Sequence, residues 1–135
     1  MDATAAIPAP DLEAIDRGRL LDLVVSVDNP NADLFVRLCD VDTNGTSRNI
    51  TDGFVRLDAR LPANEKQRVT IRFDPCAHRM APGHRLRLLV SGGAHPRFAR
   101  NLGTGEPAAT AQEMVPAVHV VHHDQSRVVL PIADG

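Results

Sequence analysis

A chain of 135 residues has the size of one small domain, which buries roughly two thirds of its unfolded-state surface and can build a core without staples. Apolar residues make up 43% and charged residues 24%, and a net charge of −2 leaves no strong field to gather nucleic acid or an anionic membrane. No apolar run reaches the roughly 18 residues of a membrane span, and the opening MDATAAIPAP lacks both the basic start and the apolar core of an export signal, so a soluble, cytoplasmic protein is expected.

Residues 1–10 set Pro8 and Pro10 among alanines with neither helical nor strand period, and read as a flexible lead-in to a single domain over residues 11–135. From Leu21 the pattern alternates. Leu21, Leu23, Val25 and Val27 share one face, and Asp28-Asn29-Pro30-Asn31 supplies turn chemistry. Leu34, Val36 and Leu38 repeat the alternation against Phe35, Arg37 and Cys39, up to Asp42-Thr43-Asn44-Gly45, where Asn-Gly predicts a tight hairpin with positive φ angles. Ser47 to Ile50 would be the partner strand, continued by Gly53 to Leu57.

Val69, Ile71 and Phe73 alternate with polar neighbours, as do Leu86, Leu88 and Val90 after the Pro82-Gly83 turn, which predicts two more strands. The stretch from Gly92 to about Pro116 is rich in glycine and proline and long enough that a compact domain would normally use it for something. Val118 to His122 and Arg127 to Ile132 then read as closing strands around Asp124-Gln125-Ser126. At least seven short strands and no amphipathic helix predict an all-β fold, a β-sandwich of jelly-roll type. Two cysteines, Cys39 and Cys76, are expected to be free thiols in a reducing compartment.

Chemistry-bearing motifs are sparse. A serine hydrolase of the α/β type needs Gly-x-Ser-x-Gly, because the nucleophile sits on a sharp strand-to-helix turn, and none of Ser26, Ser47, Ser91 or Ser126 has it. Ser91, followed by two glycines and His95, comes nearest to a nucleophile with a base, and its bland alternative is a strand end entering a glycine-rich loop. Asp40-x-Asp42-x-Asn44-Gly45 copies the first half of an EF-hand loop, but position twelve is Thr51 where a bidentate Glu is needed, so the oxygens are expected to shape the turn. His119, His122 and His123 cannot share one ion if they lie on one strand, since residue 122 faces away from the other two, and surface or interface imidazoles are the expectation. No catalytic residue, metal or cofactor is therefore assigned. Sugar recognition normally rests on flat aromatic platforms, and with no Trp or Tyr and Phe98 the single loop aromatic it is demoted.

Two segments, Asp33 to Leu57 and His78 to Pro107, carry a more specific signal. Their Asp33, Arg37, Leu38, Asp40, Val41 and Asp42, the Ser47-Arg48-Asn49 tripeptide, Asp52-Gly53, His78-Arg79, Gly83-His84-Arg85 and the loop His95-Pro96-Arg97-Phe98-Ala99-Arg100-Asn101 resemble the C-terminal β-domain of the X-Pro dipeptidyl-peptidase superfamily of serine hydrolases, which includes cocaine esterases and α-amino-acid ester hydrolases. His123-Asp124 and Val129-Leu130-Pro131 also match. Gly93 departs from the pattern, standing where a serine is common, and the opening strand that the family places before Asp11 has no readable counterpart, which would leave an exposed sheet edge.

The resemblance implies a galactose-binding-domain-like jelly roll without catalytic residues, the triad belonging to an α/β-hydrolase domain that these 135 residues do not contain. It further implies an accessory role: packing against that catalytic domain, shaping the surroundings of its active site and contributing to oligomer contacts, with a homodimer expected. Within the loop, His95, Arg97, Phe98, Arg100 and Asn101 are the interface candidates, since arginine and exposed aromatics are enriched at interfaces. Two other outcomes remain open at this point. The arginines could instead pair with local carboxylates such as Glu106, and the chain could be a free-standing module binding a small ligand or carbohydrate at the Gly92 to Pro107 loop.

Overall fold

In the computed structural model of the protein the structure describes residues 2–3 and 20–133. Eight strands among them form two antiparallel sheets. In chain order they are β1 (Asp2–Ala3), β2 (Leu20–Val27), β3 (Asp33–Val41), β4 (Ser47–Arg56), β5 (Gln67–Arg72), β6 (Arg85–Ser91), β7 (His119–Val121) and β8 (Arg127–Val129). The first sheet runs β1-β6-β3-β4; the second runs β5-β2-β7, with β8 also on β2.

Period-two patterning explains why the sheets face each other. In β2 the side chains of Leu21, Leu23, Val25 and Val27 are each 2% exposed or less, and with Ile71 they meet Leu34, Val36 and Leu38 of β3 and Val90 of β6 in one apolar cluster. Each such side chain contributes about 1.5–3 kcal/mol by leaving water. Gly53 of β4 leaves no room for a side chain against β5 of the other sheet, because a Cβ there would lie 2.7 Å from the Arg72 carbonyl oxygen. This is a two-sheet antiparallel β-sandwich.

Three local features differ from the sequence pattern. Only Gly45 of the Asn44-Gly45 pair has positive φ (+87°), and the Gly45 amide donates to Asp42 O while the Asp42 amide donates to Thr46 O, both at 3.0 Å. The hairpin is therefore the longer kind in which one glycine alone is left-handed, not the two-residue turn that Asn-Gly suggested. β4 runs unbroken through Thr51 and Asp52, which the pattern left between its two expected parts: pairing jumps from Leu38↔Thr51 to Cys39↔Asn49, so Ile50 is the extra residue of a bulge and packs against the core. The expected absence of an opening strand is also corrected, since Asp2–Ala3 pairs with Leu88–Leu89 at the edge of β6. The rest of the expected lead-in, and the start of the expected domain at residue 11, lie outside the described residues.

The two closing strands lie end to end along β2, β8 beside residues 20–22 and β7 beside residues 25–27. A short 3-10 turn, His123–Gln125, interrupts them opposite Val24. There the Val24 amide donates to Ser126 Oγ (2.9 Å) and the His122 amide donates to Val24 O (2.9 Å), so the break leaves no β2 backbone group of Val24 unpaired.

Candidate functional site: the loop after β6 and the sheet face beneath it

β3 and β4 place three pairs directly opposite one another on the outer face of the first sheet: Asp33 with Arg56, Phe35 with Phe54, and Arg37 with Asp52. Cross-strand neighbours of this kind interact. Arg56 donates to both oxygens of Asp33 (2.9 and 3.2 Å), and Arg37 donates to both oxygens of Asp52 (2.7 and 3.1 Å). Both carboxylates are only 2% exposed at the side chain, whereas their arginines are 62% and 36% exposed. The charge is thus buried at the acid and solvated at the base.

The loop after β6 comes back over this face and adds one partner to each carboxylate. Arg97 donates to Asp52 through Nη1 and to Asp74 through Nη2 (2.8 Å). Asn101 donates to Asp33 Oδ1 (2.9 Å) and accepts from the Gly103 amide (3.0 Å). Between them Phe98 stacks on Phe54, with centroids 4.2 Å apart and planes 10° apart, and meets Phe35 at 6.1 Å. Two polar locks and an aromatic latch therefore hold the loop.

The hydrogen bonds from Arg37, aided by the charges of Arg37 and Arg97, outweigh burial and hold Asp52 below the ordinary carboxylate range, while Asp52 raises Arg37. Asp33 raises Arg56 in the same way.

A third lock sits at the far end of β3. Asp40 accepts from His78 Nε2 on one oxygen (2.7 Å) and His84 Nδ1 on the other (2.8 Å), fastening the β5–β6 connection. The His78 bond is the larger of the causes that keep Asp40 low. With both oxygens of Asp40 taken, and with Asp42 Oδ1 accepting from the Asn44 and Thr46 amides (both 2.9 Å), the calcium-like text shapes the hairpin turn and its anchor.

The five loop candidates therefore divide. Arg97, Phe98 and Asn101 turn inward to the sheet; His95 and Arg100 are exposed and make no hydrogen bond or ion pair among the described residues. Arg97 pairs with Asp52 and Asp74, not with Glu106. Ser91 Oγ donates to Gly93 O (2.9 Å) and accepts from the Gly93 amide (3.3 Å), so its hydroxyl is engaged by its own loop.

Of the three histidines expected to be surface imidazoles, His123 is exposed, whereas His119 and His122 are partly buried. His119 Nε2 is buried without a hydrogen-bond partner, its ring lying over Gly92, and His122 Nε2 lies 3.3 Å from Ser26 Oγ. Among the described residues no group of three or more His, Cys, Asp or Glu side chains could hold a metal ion. Cys39 and Cys76 are free thiols. No helix among the described residues is long and apolar enough to cross a membrane.

Sequence reasoning missed one further lock on the opposite sheet. Burial pushes Asp22 upward, but bonds from Thr70 (2.9 Å) and Arg127 (3.0 Å) outweigh it and leave the carboxyl low. An aspartate inside an otherwise apolar strand was the available signal, since buried carboxylates are nearly always paired.

An antiparallel sandwich with its carboxylates committed to such locks has the character of a structural β-domain. The chain belongs to the family described as the X-Pro dipeptidyl-peptidase C-terminal non-catalytic domain, whose pattern matches residues 20–129. Among characterised proteins it is similar to the cocaine esterase of Rhodococcus sp. (strain MB1 Bresler), at 32% identity over 123 residues. That match covers 82% of this chain and 21% of the esterase, so the chain spans about a fifth of the length of its relative.

Proposed function

We propose that the chain is an accessory domain that does no chemistry itself and packs against an α/β-hydrolase catalytic domain of a parent hydrolase acting on X-Pro peptides, esters or amides. The family supports the accessory role. The observation that carries the non-catalytic reading is the state of Ser91, the serine nearest to a nucleophile: its hydroxyl donates to the Gly93 carbonyl, and the exposed His95 makes no bond to it. In this reading Arg97, Phe98 and Asn101 hold the loop in shape, and His95 and Arg100 are the side chains it presents to the catalytic domain or to a second copy.

Fluorophosphonate labelling of the purified chain, read by intact mass beside an active serine hydrolase, tests the claim. No adduct is expected. A stoichiometric adduct would mean an activated serine and would overturn the reading.

A further inference from the structure

A cleft of about 550 Å³ opens under the first half of the loop, within the roughly 300–1,000 Å³ typical of small-molecule sites. Phe35 and Leu89 give it an apolar floor, Arg37 and Arg97 flank it, and Ser91 and His95 belong to its rim. The counter-charge lies behind the wall: Asp52, 2% exposed, takes Nε and Nη2 of Arg37 and Nη1 of Arg97. Those bonds leave donors on both guanidinium groups, which carry five N–H each. Arg37 is further fixed over the Phe35 ring, 5.3 Å from its centroid.

Guanidinium groups held from behind lose little side-chain freedom when an anion arrives, and their planar forks suit a carboxylate. We propose that this cleft binds a short organic carboxylate, its charged end between Arg37 and Arg97 and its hydrocarbon tail on Phe35 and Leu89. The site requires no catalysis, and its His95 is shared with the surface assigned to the accessory role. Affinity is limited, because Asp52 and the 64%-exposed Asp74 already offset part of the positive charge, so dissociation constants of about 1 mM are expected.

The test is a proton–nitrogen NMR titration of the whole chain with three probes: hexanoate, hexanamide (the same tail without charge) and acetate (the same charge without a tail). Hexanoate should shift the Ser91, Gly93, Ala94 and His95 amides saturably, with hexanamide and acetate each about tenfold weaker. Leu89→Glu puts a negative charge on the floor while leaving Asp52 and both arginines in place, and should abolish the response in a chain whose dispersed spectrum shows it folded. No saturable shift by about 50 mM hexanoate, equal shifts with hexanamide or with acetate, shifts centred elsewhere, or an unaltered response in the folded Leu89→Glu chain would each overturn the proposal.

Discussion

Asp52→Asn removes the charge that two strands and the loop share, while keeping the size of the side chain. Breaking a buried, hydrogen-bonded charge pair on one side costs about 3–5 kcal/mol, because the remaining partner loses its compensation. Here the arginines left behind are 36% and 47% exposed, so water can take up part of their charge, and about 2–3 kcal/mol is the expected loss. Against a total of about 5–15 kcal/mol for a typical domain this is large and measurable by urea denaturation at pH 7.

The same reasoning fixes a pH dependence. The folded Asp52 carboxyl lies below its ordinary value, so below about pH 4 the unfolded chain takes up the proton first. The stability contributed by the carboxylate is complete above that pH and is lost as pH falls through the lowered folded value. The gap between wild type and Asp52→Asn should therefore narrow in acid. A loss below about 1 kcal/mol at pH 7, or a gap that stays constant down to about pH 2.5, would refute the lock.

The other expectations concern the latch, the sheet contact and the strand break. Phe98→Ala should cost about 2–3 kcal/mol in denaturant midpoint analysis, less than a fully buried phenylalanine because the ring is half-buried, and should speed hydrogen exchange across residues 94–103. Gly53→Ala forces a Cβ against the Arg72 carbonyl and should lose about 1–3 kcal/mol, whereas Gly93→Ala meets nothing within 4 Å and should stay within about 0.5 kcal/mol in the same assay. Ser126→Ala strips the acceptor from the Val24 amide and should lower stability by about 1–3 kcal/mol, with the amide of Val24 exchanging faster.

Strands with one apolar face set in the core were legible in the sequence because that face imposes the period: β2, β3, β5 and β6 all lie where alternation put them. In β4 the bulge at Ile50 shifts the period by one residue, which left Thr51 and Asp52 out of the expected strand, and no residue type announces a bulge. The loop's closure was not legible from local chemistry. Arg97 meets Asp52 across 45 positions and Asn101 meets Asp33 across 68, and no local pattern reports contacts at that distance. Likewise the imidazoles at 78 and 84 reach Asp40 across 38 and 44 positions.

The residues that carried the family resemblance turn out to be the two halves of these locks. Asp33, Arg37, Asp40 and Asp52 lie on β3 and β4; His78, His84, Arg97, Phe98 and Asn101 lie on the connections that fasten to them. A residue spent on holding a connection in place cannot also reach a partner with the same atoms, so such a match reports how the domain is held together before it reports what the domain touches. The distinction bears on the interface candidates: substituting Arg97 or Asn101 perturbs the loop, whereas substituting His95 or Arg100 alters only side chains without a bond in the fold. Exposed side chains of that kind change stability by no more than about 0.5 kcal/mol, so any loss of partner binding in His95→Ala or Arg100→Ala would report contact directly.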